Sequence, residues 1–558
     1  MVEWSTSCVD WADRIREGRS IIPPPIFPAE AEAALHVFKS LKIVDAPGSP
    51  TFGEACAQWV FDAVAAIFGA YDANSGRRLI REVFILIPKK NIKSTFSAGV
   101  MMTALIRNWR ASGQHIILAP TVEIAKNSFD PSRDMVRQDG DLGDLLHVQE
   151  HIKTITHRGN SGELKVVAAD SNTVGGKKAG WVLVDEVWLL GMVPNAENMM
   201  REATGGLASR PEGVVIYLTT QSDEPPAGLF KQKLEYARGV RDGKINDPAF
   251  LPIIYEFPQE MIDAKEHMDP ANFHLVNPNI GYSVDREFLE REFRKAQNDG
   301  EESMRGFLAK HLNIEVGMNL RGDRWPGADF WEQNAHAELA GPAGLDYLIE
   351  HSDVIVAGID GGGLDDLFGF AAVGRHEKTG AWMHWSHAWA HESVLVRRKS
   401  EAPRIRDYAK QGDLTICSKP GQEVDDVADI VERLEDSGLL DRIGVDPAGI
   451  GAIADAIVSR GIEFERIVGI PQGWKMQNAI LTTERKLAAG QLIHGGTPLM
   501  NYAVGNAKLE ARGNAVIITK QTAGRAKIDP LMALFDAVAL MSLNPKPRRK
   551  AYQMMILG

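Results

Sequence analysis

The sequence predicts an α/β protein with two separate sheet regions, and three observations carry that expectation. Short strands rich in Val, Ile and Leu alternate with helix-length segments, the pattern of a mostly parallel sheet covered on both faces. The alternation loosens at Pro252 and resumes at Asp353, so two such sheets are expected. In both regions apolar strands run straight into acids, which places carboxylates at the C-terminal edge of a sheet, where α/β proteins bind their ligands.

The first region has expected strands at 82–87, 115–119, 164–168, 180–184 and 213–219, preceded by Ile21-Ile22-Pro23-Pro24-Pro25 and a helix over 28–41. From Pro252 to about Leu348, helical stretches such as 285–298 alternate with polar, Pro- and Trp-bearing turns, which read as a lid or linker. The second region has expected strands at 354–360, 368–374, 381–387 and 443–446, with helices over 424–437 and 451–459. The resulting boundaries are an extension 1–48, a nucleotide-binding domain 49–258, a lid or linker 259–348, a second catalytic domain 349–543 and a basic, Pro-broken tail 544–558.

Composition narrows the class. The 558 residues are 44% hydrophobic and 24% charged, ordinary for globular domains that bury their own cores. Cys8, Cys56 and Cys417 show no CxxC spacing and read as reduced thiols of a cytosolic protein. No run of about 18 apolar residues predicts a membrane span, and the acidic, amphipathic start does not resemble a signal peptide. A net charge of −12 argues against general nucleic-acid coating; a local basic groove and bound cations still permit a DNA enzyme.

The strand 82–87 leads into Pro88-Lys89-Lys90-Asn91-Ile92-Lys93-Ser94-Thr95 and then a helix through 98–108. That is the strand–loop–helix context of a phosphate-binding P-loop. Lys93 would reach the β- and γ-phosphates and Ser94 would ligate Mg²⁺. The usual pattern has Gly where Ile87 and Ile92 stand, and a β-branched Ile92 is not expected to adopt a positive φ easily. Lys-Ser at a helix start alone fits a capped surface helix equally well. Downstream, Gly180-Trp-Val-Leu-Val-Asp185-Glu186 ends a strand in two acids. Asp185 would hold Mg²⁺, and Glu186 would act as general base on the attacking water. Leu218-Thr219-Thr220-Gln221 ends another strand in polar residues suited to sensing a γ-phosphate.

In the second region, Val354-Ile-Val-Ala-Gly-Ile-Asp360 is a strand ending in an acid, followed by Gly361-Gly362-Gly363 and Asp366. Ile443-Gly-Val-Asp446 repeats that logic, and Asp529 opens an apolar helix over 530–542, with Asp536 two turns along it. Three converging carboxylates would hold two hard cations, Mg²⁺ or Mn²⁺, for phosphodiester cleavage. Each acid alone is equally a cap or turn residue, and Asp529 in particular suits an N-cap. His384, His387 and His391 invite a zinc reading, but aromatic strand packing fits the Trp-rich context better.

Taken together, these segments resemble the large terminase subunits of tailed phages over about 51–542. The likeness includes Gln58-Trp59, similar to an adenine-recognising glutamine segment, Pro88–Ser94, Val184-Asp185-Glu186, Leu218-Thr219-Thr220, Asn277-Pro278-Asn279-Ile280-Gly281 and Lys310-His311-Leu312-Asn313. Pro471-Gln472-Gly473, His494–Pro498 and Lys527-Ile528-Asp529 extend it through the C-terminal half. The resemblance implies an ASCE-type P-loop ATPase followed by an RNase H-like nuclease. It implies Asp360, Asp446 and Asp529 as metal ligands, assisted by Asp366, with Lys89 or Lys90 as a cation acting on the phosphates. It further implies ATP, two Mg²⁺ or Mn²⁺ ions, double-stranded DNA, a portal protein, a small terminase subunit and a homo-oligomeric packaging ring, with no membrane. The expected place is the host cytoplasm, docked on a procapsid portal. A nuclease with a degenerate ATP loop and a non-catalytic portal-docking protein stay open as alternatives.

Overall fold

Strands form where the apolar runs predict them, because in a parallel sheet both faces are buried. The computed structural model describes residues 4–168, 178–315, 325–361, 366–447, 450–512, 515–520 and 527–548. Gly362, Gly363 and the tail beyond Arg548 lie outside these. The chain divides into two units, Met1–Val316 and Gly317–Gly558, so the division falls within the stretch 259–348.

In the first unit, β1 (Glu82–Leu86), β2 (Gln114–Ala119), β3 (Leu146–Gln149), β4 (Thr154–His157), β5 (Glu163–Ala168), β6 (Ala179–Asp185), β7 (Val214–Thr219) and β8 (Phe250–Ile254) form one sheet. Its order is β8-β1-β7-β6-β2-β5-β4-β3. The strands from β8 to β5 are parallel, and β4 and β3 add on antiparallel. The period-two alternation feeds two cores. Val83, Ile85, Ile117, Leu183 and Ile216 enter one, while Phe84, Leu86, Leu118, Val184 and Val215 enter the other. Around the sheet lie α1 (Gln58–Phe68), α2 (Lys93–Ile106), α3 (Val122–Arg137), α4 (Val187–Leu190) and α5 (Glu301–Leu312). The alternation expected to loosen at Pro252 instead continues through it, since Pro252 sits inside β8. That strand is at the sheet edge, where a residue without an N–H is tolerated.

In the second unit, β9 (Ser352–Gly361), β10 (Leu367–His376), β11 (Trp382–His391), β12 (Leu414–Cys417), β13 (Leu440–Val445), β14 (Ile467–Gly469) and β15 (Leu492–His494) form a sheet. The order is β12-β11-β10-β9-β13-β14, with β15 paired to β11. Strands β9, β10 and β11 are antiparallel neighbours, while β13 runs parallel to β9, and β14 to β13. This is the RNase H-like arrangement. The helices α6 (Gln422–Asp436) and α7 (Ile450–Ser459) pack on one face through Val427, Val431, Ile453 and Ile457. The opposite face takes α8 (Asp529–Met541) through Leu531, Leu534 and Val538. The histidines of β11 join aromatic packing, with His384 at 6.3 Å from the Trp331 ring and His387 at 4.8 Å from Trp389.

Helix α8 lies almost on the strand backbones. A Cβ at Gly358 would stand 2.0 Å from the Ala533 carbonyl oxygen, one at Gly369 2.8 Å from the Asp529 backbone, and one at Gly444 2.9 Å from the Asp536 carbonyl oxygen. Three adjacent strands therefore each offer a glycine where the helix crosses, and close approach is the physical reason. Gly358→Ala is expected to destabilise the second unit by about 1–3 kcal/mol by forcing the helix off the sheet. A denaturation midpoint equal to that of the parent protein would rule out this packing constraint.

Candidate nucleotide and nuclease sites

The loop after β1 enters α2 at Lys93. Two non-glycine residues in it have left-handed backbone, Lys90 at φ 73° and Ile92 at φ 56°. The expectation that Ile92 resists a positive φ is thus corrected: the residue takes the conformation a glycine usually supplies, at a strain of about 1–3 kcal/mol. Packing overrides the local preference. Ile92 packs against the first core, and its neighbours are clamped from a distant stretch. Buried Asn91 donates from Nδ2 to Asn277 Oδ1 at 2.7 Å, and its Oδ1 accepts the Asn279 N–H at 3.1 Å. The Ser283 hydroxyl donates to the Lys90 carbonyl at 2.6 Å, and the Lys89 N–H to the Lys310 carbonyl at 2.7 Å.

Lys93 is buried, its ammonium 3.5 Å from the carbonyls of both Ile87 and Pro88. Burial pulls its pKa down to about 8, against the charges of Glu186 and then Asp185. A buried cation held this loosely at a helix N-terminus suits a phosphate. Ser94 and Thr95 are half-buried in the first turn of α2, while Lys89 and Lys90 are exposed. Gln58 is exposed at the start of α1 and donates to Asp62 at 2.8 Å. It is its neighbour, buried Trp59, that reaches the loop clamp, donating from the indole to Asn279 Oδ1 at 3.0 Å.

At the end of β6, buried Asp185 accepts the Ser128 hydroxyl at 2.8 Å, and Ser128 lies 2.9 Å from the Ser97 hydroxyl of α2. Burial first, then the Glu186 charge, pushes the Asp185 carboxyl up to about 6. That environment suits a partner cation. Thr219 and Thr220 are buried at the end of β7, and the Thr219 carbonyl accepts the Ile87 N–H at 3.1 Å. Next to them the Gln221 side chain is buried, and its Nε2 has no partner among the described residues.

In the second unit Asp360 is the last residue but one of β9 and Asp446 directly follows β13. These strands are parallel neighbours with Ile359 opposite Val445, and the Asp446 N–H meets the Ile359 carbonyl at 3.3 Å. Asp529 is buried as the first residue of α8. It is not the helix cap the sequence suggested: Ile528 occupies the N-cap position, without a side-chain cap. A Cβ at Gly361 would lie 3.4 Å from the Asp529 Cβ, which places Asp529 beside the end of β9. Asp366 pairs instead with the Lys527 ammonium, and its Oδ1 accepts the Leu367 N–H at 3.0 Å.

Asp536 is the residue the sequence reading left out of the site. It is fully buried, accepts Gln472 Nε2 at 3.1 Å on Oδ1, and its Oδ2 has no partner among the described residues. Burial, then the charge of Asp360 and more weakly that of Asp446, pushes its carboxyl up to about 9. Among the described residues no three carboxylate, histidine or cysteine side chains are gathered as a ready metal cage. The donor set nonetheless fits hard cations: all-oxygen ligands at neighbouring strand ends, with a buried carboxylate oxygen left over.

The chain matches the family described as "Terminase large subunit, ATPase domain" over residues 58–239, and "Terminase large subunit, endonuclease domain" over 244–543. It is 24% identical over 354 residues to Protein YmfN of Escherichia coli (strain K12), covering 61% of this chain and 73% of that protein. The crystal structure of the HK97 bacteriophage large terminase is 18% identical, covers 91% of this chain and 99% of its own, and gives a TM-score of 0.47. A large terminase from a thermophilic bacteriophage is 14% identical, covers 84% of this chain and 95% of its own, and gives 0.31.

Two outcomes follow from the geometry. At position 92 the ordinary order of residues should invert, with Ile92→Gly more stable than Ile92→Ala by about 1 kcal/mol, because both lose the side chain and only Ala keeps the strain. Equal unfolding midpoints would contradict the left-handed loop. Asp536 has a folded pKa above its unfolded value, so its contribution is complete at low pH and is lost as pH rises toward about 9. Asp536→Asn should therefore stabilise the metal-free protein more at pH 8 than at pH 5, by on the order of 2–4 kcal/mol. Chelator-treated melts with the same gain at both pH values would contradict the buried acid.

Proposed function

This chain belongs to the terminase large-subunit family and carries that family's ATPase and endonuclease domains, and from that premise we propose how its residues share the work. The chain is a packaging ATPase and nuclease, using a nucleotide and divalent metal and acting on DNA. The observation that carries the residue assignments is that each unit presents strand-end carboxylates at one sheet edge, Asp185 and Glu186 in the first, Asp360 and Asp446 in the second.

In the first unit Lys93 binds the β- and γ-phosphates of ATP, with Asn91, Ser94 and Thr95 completing the cradle and Lys89 or Lys90 facing the phosphates. Ser94 and Asp185 hold Mg²⁺, which when bound neutralises charge on the phosphate oxygens. Glu186 accepts the proton of the attacking water. Thr219 and Thr220 sense the γ-phosphate, and Gln58 recognises adenine. The left-handed backbone at Ile92 supports a working loop over a degenerate one.

In the second unit Asp360, Asp446 and Asp529 hold Mg²⁺ or Mn²⁺, with two ions as the favoured number. Asp366 acts at the margin through its pair with Lys527. The proposed domains are 49–258 for the ATPase, 259–348 for the lid or linker and 349–543 for the nuclease, flanked by 1–48 and the tail 544–558. At the level of the virion, the proposal is a homo-oligomeric ring on a procapsid portal in the host cytoplasm, fed by a small terminase subunit. It translocates double-stranded DNA, gripping phosphates rather than bases, and cuts concatemers. No helix among the described residues is long and apolar enough to cross a membrane.

The roles separate by mutation. Glu186→Ala should abolish ATP hydrolysis and leave Mn²⁺-dependent plasmid cleavage, whereas Asp360→Ala should do the reverse, each by at least about a hundredfold. Retention of the targeted activity in either variant would falsify that assignment.

A further inference from the structure

We infer that Trp188 is the positioning residue of Glu186, and that it links the catalytic carboxylate to both the end of β7 and helix α5. This rests on the reading of Glu186 as the base. Glu186 sits between β6 and α4 in a left-handed backbone conformation, φ 51° and ψ 54°. Nothing in its own backbone geometry secures the carboxylate. That task falls to the indole two residues on, whose Nε1–H donates to Glu186 Oε2 at 2.5 Å. One carboxylate oxygen is thereby fixed. The Glu186 charge is also the largest of those that favour the buried Lys93 ammonium.

Trp188 is itself held on two sides. Its backbone N–H donates to Thr219 Oγ1 at 3.1 Å, at the end of β7. The Lys310 ammonium, in the last turn of α5, lies 3.1 Å from the centroid of the indole ring. Cation–π attraction holds the ammonium against the ring face. The same ammonium donates to the Gln221 carbonyl at 3.1 Å and pairs with Asp223 at 3.3 Å. Lys310 therefore sits against the strand-end polar segment and the indole together, and its carbonyl accepts from Lys89 of the phosphate loop. Trp188 thus joins Glu186, held by its indole N–H, to Thr219 through its backbone N–H and to Lys310 through its ring. Nothing in the chemistry needs Trp188 to touch nucleotide; it acts through the carboxylate it orients.

The test compares Trp188→Phe, which keeps the ring and removes the donor, with Trp188→His, which restores an N–H. Trp188→Phe should lower the kcat of ATP hydrolysis at least about tenfold, with KM and the calorimetric affinity for an ATP analogue within about twofold. Trp188→His should recover part of the lost kcat. In the nucleotide-free protein, Trp188→Phe and Lys310→Met should be non-additive in melting temperature, the mark of direct coupling. A Trp188→Phe enzyme with parental kcat overturns the inference. Should that variant not fold, Lys310→Met decides: a lower kcat at unchanged KM supports the link and a parental kcat overturns it. If Glu186→Ala itself retains hydrolysis, the base assignment fails instead, whatever Trp188 does.

Discussion

Carboxylates set side by side at the sheet ends are the constraint around which both units are arranged. Two carboxylates about 4 Å apart repel by roughly 4 kcal/mol at the effective dielectric of a protein site, and burial adds a desolvation penalty at Asp185 and Asp536. Asp185 lies beside Glu186 in one unit, and Asp536 faces Asp360 and Asp446 in the other. Such groupings persist because something offsets them: the Lys93 ammonium and the Ser128 hydroxyl near Asp185, and a carboxyl pushed up to about 9 at Asp536, which favours its neutral form. The same electrostatic imbalance makes each centre receptive to divalent cations. Binding a cation there relieves repulsion that folding has already imposed.

Holding acids in place against repulsion requires a backbone that does not yield. In the second unit the rigidity comes from contact without side chains: Gly358, Gly369 and Gly444 let α8 rest on three strands, so Asp529 and Asp536 are carried by a helix that cannot shift without a clash. In the first unit it comes from hydrogen bonds. Asn277 and Asn279 hold the loop through Asn91, and Trp59 holds Asn279 in turn. A strained Ile92 survives there because its surroundings over-determine the loop.

Much of the fold was legible because its signals are local. Expected strands overlap the observed ones closely, as with 82–87 against Glu82–Leu86 and 443–446 against Leu440–Val445. Continuous apolar runs identify a two-sided sheet without knowledge of its neighbours. The exceptions are instructive. The β3–β4 hairpin is short and polar, with Leu146 and Ile155 as its fully buried apolar residues, too few to make a pattern. Strand β8 was hidden by Pro252, which an edge position tolerates. In the sites, strand-end acids were readable because each is the terminus of a visible run. The alternative reading of Asp529 as a cap does not hold, since capping depends on helix geometry, and here the helix begins one residue before Pro530.

What the chain alone decided is therefore the inventory: apolar runs that become two sheets, acids set at their ends, a lysine at the start of a helix after the first strand. These depend on residues within a few positions of one another. Tertiary structure decided the pairings. Asn91 meets Asn277 across 186 positions, Lys310 meets the indole of Trp188, and Asp366 meets Lys527 across 161. It also decided the charge state of Asp536, an ordinary acid on an apolar helix until burial and two neighbouring carboxylates act on it. The reason is physical: hydrophobic periodicity is a property of adjacent residues, whereas desolvation and Coulomb interactions exist only between groups that folding has brought together.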